Sequence, residues 1–192
     1  NAGTYSATFT LKDTTNYKWS DGTTTEKTVS WKINQYNISN VDVGSISDQT
    51  YTGSAITPLP VLSKILNGSS KYTLVKDTDY TLSYSNNTNV GTATITATGK
   101  GNFTGTKNVT FKIVAKSIAI PMQSGTLTYN GTSQTVTWYH YDSSKMTVSG
   151  TTSATNAGTY SATFTLKNTT NYKWSDGTTA EKTVSWKINK YN

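Results

Sequence analysis

The sequence predicts an all-β protein built from tandem modules, and three observations lead to that prediction. Threonine and serine make up about a third of the 192 residues, while long runs of helix-forming residues are absent. Apolar and polar side chains alternate, as in "TVSWKI" at 183–188. Finally, residues 1–37 return as residues 156–192 with only three differences, which are Asp13/Asn168, Thr25/Ala180 and Gln35/Lys190.

The long repeat divides into two related halves. Three segments match in the same order along the chain: "TYTGSAIT" at 50–57 with "TYNGTSQT" at 128–135, "NVGTATITAT" at 89–98 with "NAGTYSATFT" at 156–165, and "NVTFKI" at 108–113 with "TVSWKI" at 183–188. We therefore divide the chain into a half-module (residues 1–37), a middle module (residues 38–115) and a last module (residues 116–192). The half-module corresponds to the rear part of the last module.

Within the modules, the apolar period of two predicts strands with one inward face. Val184, Trp186 and Ile188 share such a face in the last module, where Trp174 is also expected to be buried. Ala93, Ile95 and Ala97 alternate in the same way in the middle module. Turn signals separate the strands at Asn67–Gly68, Gly99–Gly101, Asn130–Gly131 and Asp176–Gly177. This pattern is typical of small Ig-like β-sandwiches, or β-grasp-like open sheets, which we expect to follow one another in an elongated array.

Composition argues against several functional classes. The net charge of +7 comes from lysine alone, and the lysines are spread singly along the strands, so no nucleic-acid partner is expected. No segment approaches the twenty or so apolar residues that span a bilayer, so no membrane insertion is expected. The chain has no cysteine, and we expect neither a metal nor another cofactor.

The titratable residues do not form a recognisable catalytic set. In the last module Asp176 is expected to cap a turn, and Glu181 to pair with Lys182 in solvent. His140 shares the parity of Val136 and Trp138, which predicts a partly buried histidine rather than a base. Asp77 and Asp79 in "KDTDY" are expected to form an acidic turn rather than a calcium loop. We therefore predict that the chain is not an enzyme.

Tyr139 and Tyr141 are the candidate ligand-contact residues. Their parity places them on the outer face of a strand, where tyrosines can stack on sugar rings. Trp31 and Trp186 have the opposite parity and are expected to face inward. The patch is the basis of an alternative prediction, in which the modules bind a glycan or a host protein.

The segment "DYTLSYSNNTNVGTATITATGKGNFTGTKNVTFKI" at 79–113 resembles the tandem Ig-like repeats of Firmicutes surface proteins, of the MBG type. The pattern of the last module is similar to modules of those proteins and of phage tail or fibre proteins. The resemblance implies a non-catalytic, extracellular stalk or fibre segment of a bacterial cell-wall protein or adhesin filament, with a phage virion as the alternative. Neighbouring repeats, or identical subunits of a filament, are then the implied partners.

The half-module lacks the front strands of a complete module. We expect the 192 residues to be a segment of a longer polypeptide in which a preceding repeat covers residues 1–37. The alternative is a two-fold dimer in which two copies of residues 1–37 cover each other.

Overall fold

The computed structural model describes residues 1–66 and 68–192, and this part of the chain is all-β, as the sequence predicts. About half of it lies in strands, and its helical content is one 3₁₀ turn at Ile38–Asn40. Asn67, one half of the predicted Asn67–Gly68 turn, lies outside the described residues. Two compact units are formed, one by Asn1–Ile46, Pro58–Ser85 and Thr94–Thr110, the other by Ser47–Thr57, Asn86–Ala93 and Phe111–Asn192.

The half-module forms an antiparallel hairpin followed by a short strand. Its strands are β1 (Gly3–Phe9), β2 (Lys27–Ile33) and β3 (Tyr36–Asn37). The hairpin pairs Gly3 with Ile33 at one end and Phe9 with Lys27 at the other. This register places Tyr5 opposite Trp31, and the two rings stack with centroids 5.9 Å apart.

The middle module contains a four-stranded and a three-stranded sheet. Its strands are β4 (Asp42–Val43), β5 (Gln49–Thr50), β6 (Leu62–Leu66), β7 (Ser70–Thr73), β8 (Tyr80–Ser85), β9 (Gly91–Gly99), β10 (Phe103–Thr104) and β11 (Thr106–Val114). The larger sheet has the order β5-β11-β9-β8, and the smaller has the order β4-β6-β7. β5 runs parallel to β11, with Gln49 opposite Ile113.

The last module repeats the larger sheet. Its strands are β12 (Lys116–Ile118), β13 (Met122–Ser124), β14 (Leu127–Thr128), β15 (Gln134–Thr135), β16 (Thr137–Tyr139), β17 (Met146–Gly150), β18 (Ser153–Ala154), β19 (Gly158–Leu166), β20 (Tyr172–Trp174) and β21 (Lys182–Asn189). The order β14-β21-β19-β17 begins with a parallel pair, as β5-β11 does. The segments matched by sequence thus occupy matching places in two sheets.

The predicted inward faces are confirmed. Ala93, Ile95 and Ala97 are fully buried, as are Trp174 and Ile188, and Trp186 is 1% exposed. The neighbours of Trp186 in β21, Ser185 and Lys187, are exposed. Alternation along these strands therefore determines which side chains form the core, because successive side chains point to opposite faces.

The half-module exposes the face that the last module buries. Trp31 is 49% exposed, whereas its counterpart Trp186 is 1% exposed. Phe9 is 53% exposed, whereas its counterpart Phe164 is fully buried and forms a T-shaped pair with Trp138, with ring centroids 4.9 Å apart. Trp138 belongs to the front part of the last module, a part that residues 1–37 do not contain. The prediction that Trp31 faces inward is wrong, because half of its side chain contacts solvent and every residue of β2 after Lys27 is exposed.

Candidate functional site

A pattern of hydrogen bonds that we call the asparagine joint occurs where the half-module meets the middle module, entirely within the first compact unit. Strand β3 runs parallel to β10, and the amide of Tyr36 donates to the carbonyl of Asn102 at 2.8 Å. The side chain of Asn102 accepts a hydrogen bond from the amide of Ala2 at 2.7 Å. Its Nδ2 donates to Oδ1 of Asn1 at 3.2 Å. One asparagine thus holds the loop that precedes β1.

A second asparagine joint links the middle and last modules, entirely within the second compact unit. Strand β12, at the start of the last module, runs parallel to β20 of the same module, and the amide of Lys116 donates to the carbonyl of Asn171 at 2.9 Å. The Oδ1 atom of Asn171 accepts from the amide of Val90 at 2.9 Å, and its Nδ2 donates to Oδ1 of Asn89 at 3.0 Å. The side chains of Asn102 and Asn171 therefore make the same hydrogen bonds. These bonds cross a module boundary at both joints, whereas the parallel strand pair crosses it at the first joint and lies beside it at the second.

The chemistry of the joint explains why asparagine occupies this position. The side-chain amide offers an acceptor and a donor on a short stem, so it can bind a backbone N–H and a second asparagine together. Aspartate would keep the acceptor and lose the donor. At the second joint Asn171 is 4% exposed, and removal of its side chain would leave the Val90 amide without this partner. An unpaired buried group of this kind costs about 1–3 kcal/mol.

Aromatic contacts accompany both joints. Tyr36 and Phe103 form a T-shaped pair with ring centroids 6.2 Å apart, and Tyr51 and Tyr172 form another at 5.4 Å. Phe103 and Tyr172 both directly follow the joint asparagine. At the first joint Gln35 adds a hydrogen bond from its Nε2 to the carbonyl of Gly101, at 2.9 Å. Each joint thus combines backbone pairing, amide hydrogen bonds and an edge-to-face aromatic pair.

Neither joint asparagine is among the site residues predicted from the sequence. A signal was present, because "GNF" at 101–103 and "TNY" at 170–172 both place an asparagine between a small or polar residue and an aromatic one. The partner loops, "NAG" at 1–3 and "NVG" at 89–91, also match. These three-residue segments are too short to be distinguished from an ordinary turn by sequence alone.

The candidate ligand residues Tyr139 and Tyr141 lie in different settings. Tyr139 ends strand β16 and is 55% exposed, beside Met122, its partner in the antiparallel pair. Tyr141 is 37% exposed, and its ring lies 5.9 Å from that of Phe164 in the core. The strand stops at Tyr139 because His140 has a φ of 63°, in the left-handed region. Of these two candidate residues, Tyr139 alone lies on a strand.

The prediction of a partly buried His140 is wrong, because this residue is exposed. The left-handed turn at His140 ends the alternation that connected it with Val136 and Trp138. In the described part of the chain, no three histidine, aspartate or glutamate side chains gather closely enough to hold a metal ion.

The carboxylates have local partners. Asp176 caps its turn, as predicted, by accepting from the amide of Thr178 at 3.0 Å. Lys182 donates to Asp176 at 2.5 Å, so the predicted pairing of Glu181 with Lys182 is wrong. The hydrogen bond from Lys182, with further bonds from Thr178, lowers the pKa of Asp176 to about 2. A bond from Lys145, helped by Ser144, lowers the pKa of Asp142 well below its usual range.

The acidic turn "KDTDY" also has an internal role. Asp79 is 3% exposed and accepts hydrogen bonds from the Tyr72 hydroxyl at 2.7 Å and the Val75 amide at 2.8 Å. The bond to Asp79, followed by burial, raises the pKa of Tyr72. Asp77 is exposed, adopts a φ of 68° and pairs with Lys76 at 2.7 Å. Both carboxylates thus serve the turn that leads into β8.

A small aromatic cavity lies in the first compact unit. It has a volume of ≈ 250 Å³ and is lined by Tyr36, Lys64, Tyr72, Asn102 and Phe103. Small-molecule pockets commonly measure about 300–1,000 Å³, so this cavity is below the usual size. Two of its polar side chains already have partners: Asn102 belongs to the first joint, and the Tyr72 hydroxyl binds Asp79.

Comparison with known proteins gives no relative: no family model, no curated protein and no solved structure matches the chain. Within the described residues, no helix has the length and apolar character required to cross a bilayer.

Proposed function

We propose that the chain is a non-catalytic structural repeat, a stalk or fibre segment of a bacterial extracellular surface protein or adhesin filament. Its modules are Ig-like β-sandwiches arranged in tandem, and they position other parts of the protein at a distance. As the alternative, the same structural repeat belongs to a phage tail or fibre protein. The partners are neighbouring repeats of the same chain, or identical subunits of a filament.

The observation that carries the proposal is the asparagine joint, which occurs twice with the same atoms. A flexible linker would not need a parallel strand pair, two amide hydrogen bonds and an aromatic contact at each boundary. These contacts restrict motion between consecutive modules, which is the property that a spacer requires. The matching strand orders β5-β11-β9-β8 and β14-β21-β19-β17 support the assignment of one fold to both complete modules.

Trypsin cleavage after Lys116 tests whether the second joint is held as the proposal requires. Lys116 lies in β12 beside the joint, so cleavage there needs local opening. Replacing Asn171 with alanine should accelerate this cleavage at least about fivefold, because about 1 kcal/mol of stabilisation is lost. The matched control is Asn16→Ala, at the counterpart position in the half-module, where the side-chain Nδ2 donates to Oδ2 of Asp13 at 2.7 Å. Equal cleavage rates in the wild type and Asn171→Ala would contradict the proposal.

The exposure of Tyr139 favours a second candidate, in which the last module binds a glycan or a host protein. A glycan array and a pull-down from host extracellular material distinguish the two functions. Saturable binding that is lost in Tyr139→Ala and retained in Tyr5→Ala would establish the binding function. A spacer would give the same background signal with all three proteins.

A further inference from the structure

The last module ends in a groove that has a counterpart in the half-module. This end groove measures ≈ 780 Å³ and is lined by Thr128, Ala157, Gly158, Thr159 and residues 187–192. The corresponding residues of the half-module, Ala2, Gly3 and residues 32–35, line a groove of ≈ 430 Å³ together with Gly101 and Thr104. The smaller groove therefore receives a loop of the middle module.

We propose that the end groove is a docking surface for the loop at residues 99–105 of a further copy of the middle module. This inference rests on the proposed function, because it extends the asparagine joint from two boundaries to a third. The occupant is a copy additional to the one in this chain, since the loop at residues 99–105 already holds the half-module through Asn102.

The end groove has the residues that make the first joint. Asn156, Ala157 and Tyr191 are the counterparts of Asn1, Ala2 and Tyr36. The loops also share a conformation: the Tyr160 hydroxyl donates to the carbonyl of Asn156 at 2.7 Å, as the Tyr5 hydroxyl does to that of Asn1 at 2.7 Å. The amide of Ala157 is therefore placed to donate to an incoming asparagine.

One of the three sequence differences lies at the contact and preserves its chemistry. Gln35 donates to the carbonyls of Gly101 and Phe103, at 2.9 and 3.4 Å. Its counterpart Lys190 carries an ammonium group with three donors and a longer stem, so it can bind the same carbonyls. Tyr191 is 78% exposed, whereas its counterpart Tyr36 packs against Phe103.

The second joint supplies another contact. Tyr51, which contacts Tyr172 in that joint, corresponds to Tyr129 in the last module. The amides of Tyr51 and Tyr129 bind the carbonyls of Val114 and Asn189 in matching positions, both at 2.9 Å. Tyr129 is 41% exposed and directly follows Thr128, which lines the end groove. We therefore expect it to meet the incoming counterpart of Phe103, edge to face.

The test is an extended chain in which a second copy of residues 38–115 follows Asn192 directly. Trypsin cleavage after Lys190 reports on the end groove, because Lys190 is exposed in the present chain. Docking should slow this cleavage at least tenfold in the extended chain. Alanine at the added copy's counterpart of Asn102 should restore most of the lost rate, and Tyr129→Ala should restore part of it.

Cleavage after Lys116 in the same samples distinguishes the two proposals. Rapid cleavage after Lys190 in the extended chain, with Lys116 protected, would overturn the docking surface and leave the proposed function standing. Protection of Lys190 that survives the asparagine substitution would also overturn it, since the joint would not be the cause. Rapid cleavage after both lysines would count against the proposed function as well as the docking surface.

Discussion

Replacing Trp186 with alanine should destabilise the last module far more than the identical replacement of Trp31 destabilises the half-module. The two residues lie in the same sequence, "KTVSWKIN", but Trp186 is 1% exposed and Trp31 is 49% exposed. A tryptophan side chain buries about 200 Å², which at about 25 cal/mol per Å² corresponds to about 5 kcal/mol. The same reasoning gives Trp31 at most about half of that value.

Two further effects increase the difference. The indole N–H of Trp186 donates to the carbonyl of Thr151 at 2.7 Å, and this acceptor would lose its partner. The buried site would also leave a cavity, whereas solvent would fill the space at Trp31. We expect a loss of about 3–5 kcal/mol for Trp186→Ala and of at most about 2.5 kcal/mol for Trp31→Ala.

Scanning calorimetry is the appropriate assay, because modules that unfold separately give separate transitions. Trp186→Ala should remove one transition or shift it by more than about 10 °C, and Trp31→Ala should leave that transition within a few degrees. Equal shifts of the same transition in the two variants would refute the reasoning, because burial would then not determine the effect.

Three other substitutions test the polar contacts. Asn171→Ala should lower the free energy of unfolding by about 1–3 kcal/mol in chemical denaturation, while Asn16→Ala should change it by less than about 0.5 kcal/mol. The pKa of Asp176 in the folded state is about 2, below its ordinary value of 3.8. Its ion pair therefore stabilises the fold fully at pH values above 3.8, and this stabilisation is lost as the pH falls from 3.8 through about 2. Asp176→Asn should therefore flatten the decline of the melting temperature between these pH values, and an unchanged decline would contradict this role. Asp79→Asn should lower the melting temperature by several degrees, because the Tyr72 hydroxyl and the Val75 amide both donate to Oδ2, and hydrogen bonds to a neutral amide oxygen are weaker than hydrogen bonds to a carboxylate; an unchanged melting temperature would be the contrary result.

The strand content and the inward faces could be predicted because they depend on local pattern. Alternation alone identified Trp186, Ile188 and Ile95 as core residues, and all three are buried. The turns that contain glycine could also be predicted from the sequence. Gly131 and Gly177 adopt φ values of 79° and 88°, which glycine accepts without strain.

Local pattern failed where a distant backbone determines the structure. Residues 172–174 and 17–19 have the same sequence, "YKW", yet only the first segment forms a strand, because β12 pairs with it. The parallel pairing of β14 with β21 likewise depends on strands far apart in the chain. No local propensity distinguishes these outcomes, so the joints could not be predicted from the sequence.

His140 shows a second kind of failure. An alternation of apolar and polar residues continues through "VTWYHY", but the backbone turns into the left-handed region at the histidine. Asparagine, aspartate and histidine adopt this conformation more readily than most residues. Because the sequence contains no glycine at this point, the turn could not be predicted from it.

The asparagine joints also determine how the modules respond to their surroundings. Every hydrogen bond from Asn102 and Asn171 described above links uncharged groups, so neither changes of pH nor added salt act on these bonds directly. Joints made of ion pairs would weaken as the screening length falls from about 30 Å in dilute buffer to about 3 Å in 1 M salt. The connections in this chain should instead retain their geometry from fresh water to brine.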